Sequence, residues 1–116
     1  MSGQNIHQNS AQGKWFELSL AEQMGNIGSE VGRVRLNQSK DKTRFWSAAA
    51  RALDLLYLTL ADKRWNKWRK IEIARAAEVF GDAVLGGKKY NSDLESLERY
   101  FSRFASLAMA QKFAKN

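Results

Sequence analysis

Five basic residues and two tryptophans occupy seven of the eight positions Lys63-Arg64-Trp65-Asn66-Lys67-Trp68-Arg69-Lys70. Cations at this density attract phosphate backbones through counterion release, and exposed indoles stack on unpaired bases, so RNA or single-stranded DNA would suit the run. From Lys63 to Arg75 six basic residues meet one acid, Glu72, a local balance of +5 (six minus one) in a chain of formal net charge +7. A structural reading stands beside this one: Trp65 and Trp68 close a core at a turn, and the lysines and arginines keep that end solvated. Local concentration of charge favours binding.

Groups that could catalyse are few. With zero Cys there is no thiolate nucleophile, disulfide framework or thiolate zinc site, and cytoplasmic residence is the expectation. The single histidine, His7, lies in a polar N-terminal segment where nothing orients it, so a Ser-His-Asp arrangement or a histidine metal site cannot be assembled within one chain. The Arg-x4-6-His spacing of small helical ribonucleases is absent as well. Glu78 and Asp82 stand four apart and could join Asp54 around a divalent ion. Di-metal bundles combine such carboxylates with Glu-x-x-His motifs, which this chain lacks, so these acids read as solvated surface groups. The expectation is a protein that is not an enzyme and needs no cofactor or metal. Arg33 and Arg35 read as complements to a helix C-terminus, and Arg99 and Arg103 as partners of neighbouring acids such as Glu95.

A second constellation is Ala21, Gly25, Gly28 and Gly32, within a segment of otherwise helical pattern. At about 100° per residue these four small residues form one strip, roughly 80–140° round from the apolar seam Leu20, Met24, Ile27, Val31 and Val34. A helical glycine costs up to about 1 kcal/mol relative to alanine, so four small residues in register point to close approach by another helix or by a subunit. Neither Gly-x-x-x-x-Gly-Lys-Ser/Thr nor Gly-x-Gly-x-x-Gly after a strand is present, so a phosphate-cradling loop is not read here.

The elements that must position these residues are helical. Zero Pro among 116 residues suits long helices joined by short polar turns, and no apolar run approaches the roughly 20 residues that span a bilayer. Residues 1–14 read as a flexible polar tail and 15–116 as one domain. Ser19-Leu20-Ala21-Glu22 has the spacing of a capping box and opens the first predicted helix. After the polar joint Lys40-Asp41-Lys42, a second helix spans about Thr43 to Ala61. Its wide apolar surface (Phe45, Ala49, Ala52, Leu53, Leu56, Tyr57, Leu60) makes it the expected centre of the fold. Asp62 to Asn66 turns, and a third helix runs to Leu85, where Gly86-Gly87 supplies a left-handed stop. Ser92-Asp93-Leu94-Glu95 reads as another capping box, opening a fourth helix. Leu94, Leu97, Phe101, Phe104, Ala105 and Ala108 face inward on it, and Gln111 to Asn116 fray. Four amphipathic helices with short connections predict an all-α, up-down-up-down four-helix bundle. Outward-facing Leu58 and Tyr100, with the small strip, point to a homo-oligomer.

The stretches WFELSLAEQMGNIGSEVGRV, ARALDLLYLTLAD and SLERYFSRFA, spread over about residues 15–108, resemble a family of short bacterial proteins of unassigned function. In size, charge and architecture the chain is also similar to the four-helix-bundle proteins encoded in ribosomal RNA intervening sequences and to the accessory variability proteins of diversity-generating retroelements. The latter form ring-like homo-oligomers that bind nucleic acid and a reverse transcriptase. The resemblance implies a non-catalytic accessory factor with nucleic-acid and protein partners, and it brings no catalytic residues. The alternative is a homo-oligomeric scaffold that works through Ala21, Gly25, Gly28 and Gly32.

Overall fold

The computed structural model describes residues 11–115, and His7 lies outside them. The described residues are all-helical and contain no strand. A helical turn, α1 (Ala11–Trp15), precedes four long helices: α2 (Leu20–Asn37), α3 (Lys42–Ala61), α4 (Lys67–Val84) and α5 (Leu94–Lys115). The turn α1 falls where the sequence reads as tail, because Trp15 is buried and anchors it.

Each long helix begins at a side chain that satisfies an otherwise unpaired backbone N–H. Ser19 closes the predicted capping box on α2: the Glu22 amide donates to Ser19 Oγ at 3.1 Å, and the Ser19 amide donates to Glu22 Oε1 at 2.9 Å. Asp41 caps α3 and Asn66 caps α4, each accepting from the amide three residues on at 3.0 Å. At α5 the cap is Asp93 instead of Ser92. Its carboxylate accepts from the Ser96 amide at 2.8 Å, while Ser92 Oγ donates to Asp82 Oδ2 at 2.8 Å. A carboxylate at that position outcompetes the neighbouring hydroxyl for the helix start, and Ser92 is drawn to the loop's own acceptor.

The end of α4 is a Schellman turn. The Gly86 amide donates to Ala83 O and the Gly87 amide to Asp82 O, with φ of 112° and 74° at the two glycines. The acids Glu78 and Asp82 are engaged here. Asp82 accepts from the Lys89 and Tyr90 amides and from Ser92, and Glu78 accepts from the Tyr90 hydroxyl at 2.9 Å. They tie down the α4–α5 loop, a role added to their surface placement: Glu78 is exposed and Asp82 half-buried.

The centre of the fold is α2, not α3. It lies between α3 and α5 and packs most extensively on α5; α3 packs on α4, and the contact between α4 and α5 is sparse. Met24, Ile27, Val31 and Val34 are buried on its apolar seam. The adjacent strip meets α5 at backbone distance. A Cβ on Gly28 would stand 2.7 Å from Phe101 Cβ, one on Gly25 would stand 3.0 Å from Ala105 Cα, and one on Gly32 would stand 2.7 Å from Glu98 Oε2. The glycines let α5 sit against the α2 backbone. Arg35 Nε pairs with Glu98 Oε1 at the far end of this seam. On the other side, Glu30 bridges to Arg51 of α3 at 3.2 Å.

Two predicted faces come out differently. On α3, Phe45, Ala48, Ala49, Ala52, Leu56 and Thr59 are buried against α2, α4 and Trp15, but Trp46 and Tyr57 stand exposed on the side these elements do not cover. On α5, Leu94, Leu97 and Phe101 are buried and Phe104 is half-buried, whereas Ala105 retains an exposed side and Leu107, Met109 and Phe113 are open to solvent. The helix nevertheless continues through the predicted frayed segment to Lys115. Tyr100, predicted to point away, is half-buried and donates to Glu72 Oε2 at 3.1 Å, a link between α5 and α4. Leu58 is half-buried too.

Candidate nucleic-acid interface

The basic run folds as the α3–α4 turn and the first turn of α4, and its residues divide into two groups. Arg64 and Trp65 belong to the frame of the fold. Asp62 ends α3 almost fully buried, and its carboxylate receives Arg64 three times: the amide and Nε at Oδ1, both at 3.0 Å, and Nη2 at Oδ2, at 2.7 Å. The amide contact is an Asx turn, which fixes the chain reversal locally. Arg64 Nη2 also donates to the Leu18 carbonyl at 2.6 Å, tying this turn to the segment before α2.

Behind it lies a buried polar node. Gln23, which has no solvent exposure, donates through Nε2 to Asp62 Oδ2 and to the Trp15 carbonyl, both at 3.0 Å, and accepts Trp65 Nε1 at 2.9 Å. Trp15 Nε1 donates to Thr59 Oγ1 at 3.1 Å, and Thr59 Oγ1 donates to the Leu55 carbonyl at 2.8 Å. No buried side-chain nitrogen or oxygen among the described residues lacks a partner, as a low-dielectric interior demands. The Arg64 guanidinium holds the Asp62 carboxyl down at about 2, against the opposing push of burial; the same pair raises Arg64 above its ordinary value. The Arg64 guanidinium also covers one face of Trp65, 4.4 Å from its ring centroid. A cation whose charge is matched by a buried carboxylate and an indole already stacked and hydrogen-bonded are poorly placed to take a ligand.

The second group faces solvent. Lys63, Lys67, Trp68 and Arg69 are exposed and Lys70 is half-buried. Arg69 pairs with Glu72 at 3.4 Å, whereas Lys63, Lys67 and Lys70 have no carboxylate within 4 Å among the described residues. Trp68 is 74% exposed, with Lys67 Nζ 6.0 Å from its ring centroid. Its indole is therefore no part of the core, unlike the half-buried Trp65.

Two residues join this surface that the run itself leaves out. Ile71, 51% exposed, and Arg75, exposed and without a carboxylate partner among the described residues, follow Trp68 at steps of three and four on the outward side of α4. Opposite them Ile73, Ala76, Ala77, Phe80 and Ala83 are buried. The spacing Trp68, Ile71, Arg75 was legible as one helix face; counting charge registers Arg75 but passes over the apolar Ile71. The surface thus comprises Lys67, Trp68, Ile71 and Arg75, with Lys63 on the turn before it and Arg69 and the half-buried Lys70 on its flanks. Ala21, Gly25, Gly28 and Gly32 lie elsewhere, three of them directly under α5 of the same chain.

Among the described residues no group of three or more His, Asp or Glu side chains could hold a metal ion, and no helix is long and apolar enough to cross a membrane. Comparison with protein-family models, with curated protein sequences and with solved structures yields no match, so the surface must be interpreted from its own chemistry.

Proposed function

We propose that the chain is a non-catalytic nucleic-acid-binding module that takes RNA or single-stranded DNA on the outward surface of the α3–α4 turn and α4. The observation that supports this is the 74% exposed Trp68 on the same end of the fold as Lys63, Lys67, Lys70 and Arg75, which have no carboxylate within 4 Å among the described residues. Lysine and arginine bind phosphate, an indole binds a base face, and none of these groups is set up to turn a substrate over. The four long helices are read as an up-down-up-down bundle, because each packs on its neighbour in sequence and α2 packs on α5. A partner enzyme such as a reverse transcriptase would receive the nucleic acid from such an accessory module.

The test is fluorescence-anisotropy binding of labelled single-stranded RNA over a salt series, with Lys67→Glu/Lys70→Glu alongside. Four phosphate contacts give a log–log salt slope of about −3, and reversing two charges flattens it by at least about 1.4. Binding that persists in the double variant with the same slope removes this surface from the function.

A second reading, homo-oligomerisation, rests on the exposed Leu107, Met109 and Phe113 of α5, since the glycine strip is already covered. Sedimentation equilibrium of wild type and Phe113→Ser tests it. A concentration-dependent mass lost in the variant supports a subunit contact at this end of α5, and a monomer throughout refutes it.

A further inference from the structure

The geometry points to Trp68 as a single stacking platform that makes this surface selective for unpaired bases over duplex, with Ile71 as the apolar flank and the four uncompensated cations as a backbone rail. The inference rests on the nucleic-acid reading above and adds which residue chooses the strand state. Trp68 is the only one of the run's two indoles available for stacking: Trp65 is half-buried, its Nε1 is bonded to Gln23 and one face lies under Arg64. Trp68, by contrast, projects from the second position of α4 at 74% exposure, and Ile71 is exposed one turn further along.

An exposed Trp–Ile pair costs the free protein solvation without contributing to its core. A phosphate rail alone gives no reason for it, because lysines and arginines bind duplex and single strand through the same charges. In a duplex the base faces are stacked on one another and closed to an indole; in a single strand every base offers a π-face, and stacking on an aromatic ring is worth one to two orders of magnitude in affinity per base. One accessible indole on this surface takes one base, so the surface's strand selectivity should reside in this one side chain. Salt dependence resides in Lys63, Lys67, Lys70 and Arg75. The Asp62–Arg64 and Gln23–Trp65 contacts that hold the turn together do not involve Trp68, so its removal leaves them in place.

The experiment measures anisotropy of a labelled oligouridylate and of an RNA duplex of equal length at one salt concentration, for the wild type, Trp68→Ala and Trp68→Tyr. Circular dichroism confirms that each variant is folded. Wild type is expected to bind the single strand roughly ten- to a hundredfold more tightly than the duplex. Trp68→Ala should lose that margin while its duplex affinity stays the same, and Trp68→Tyr, which keeps a ring, should recover most of it. If wild type binds both ligands with equal affinity and Trp68→Ala changes neither, the platform is refuted and the basic surface survives. If wild type binds neither, the nucleic-acid reading fails and takes the platform with it. Binding of wild type, but not Trp68→Ala, to phosphatidylglycerol vesicles in the absence of oligouridylate binding would overturn the inference in favour of a lipid surface.

Discussion

Replacing Gly28 by alanine sets two effects of opposite sign against each other. Within a helix the substitution is worth about 1 kcal/mol in favour of folding, because glycine loses more backbone freedom than alanine. Against it, the new Cβ would lie 2.7 Å from Phe101 Cβ, where carbon atoms prefer about 3.5–4.0 Å, and Phe101 is fully buried. Both atoms are bonded directly to backbone, so no rotamer change relieves the overlap. Helices α2 and α5 must separate by about 1 Å, which forfeits a quarter to a half of each dispersion contact along the seam. Overpacking of this kind costs about 1–3 kcal/mol, leaving a net loss of about 1 kcal/mol for Gly28→Ala and about 3 kcal/mol or more for Gly28→Leu. With a urea m-value of about 1.5 kcal/mol/M, the alanine variant should unfold at a midpoint about 0.7 M lower, and the leucine variant about 2 M lower. Gly81→Ala in α4 is the control, since nothing lies within 4 Å of a Cβ built there. It should show the propensity gain alone and raise the midpoint by about 0.7 M. Equilibrium urea unfolding followed by circular dichroism measures all three. If Gly28→Ala raises the midpoint as Gly81→Ala does, α5 does not sit on the glycine strip and the central position of α2 is wrong.

Two titrations test the polar contacts. Asp62, held at about 2 against an ordinary 3.8, binds its proton less readily in the folded protein, so it contributes stability above the unfolded value that is lost as pH falls from about 4 towards 2. The loss is on the order of 2 kcal/mol, and Asp62→Asn should flatten the acid limb of a stability–pH curve measured by urea unfolding; an unaltered limb would place the acid sensitivity elsewhere. Tyr100, pushed up from 10.0 to about 12 by burial first and by the Glu72 charge second, favours its protonated form in the fold. The stability it contributes is complete below about pH 10 and is lost as pH rises towards about 12. Ultraviolet difference spectra should show a tyrosine ionising near pH 12 that disappears in Tyr100→Phe, and its persistence in that variant would disprove the contact with Glu72.

Local signals carried the fold a long way. The Ser19 capping box, the Gly86-Gly87 stop and the seam Met24, Ile27, Val31, Val34 are each decided within one or two helical turns, so residue type and spacing suffice to read them. What escaped depends on partners distant in sequence. Trp65 reads as an available indole until Gln23, 42 residues away, is seen to take its N–H, and Arg64 reads as a ligand cation until it is placed against Asp62 and the Leu18 carbonyl. Gln23, Thr59 and Asp62 carry no motif that marks them as buried. Glu78 and Asp82 show helix spacing but bind the loop that follows α4, which periodicity does not register. The breadth of the apolar surface on α3 suggested a central helix, yet Trp46 and Tyr57 remain exposed because periodicity counts apolar faces and not the neighbours available to cover them.

The seam between α2 and α5 also has a consequence for the order in which the chain can acquire its structure. Arg35 and Glu98, which meet across that seam, are 63 residues apart, and α5 is synthesised last of the long helices. During translation α2 must therefore wait with one side uncovered while α3 and α4 emerge, an interval in which exposed leucines or phenylalanines would invite association with other nascent chains. The strip Gly25, Gly28 and Gly32 presents backbone and no apolar side chain, so this part of the vacant contact gives another nascent chain little to hold until Phe101 arrives to occupy it.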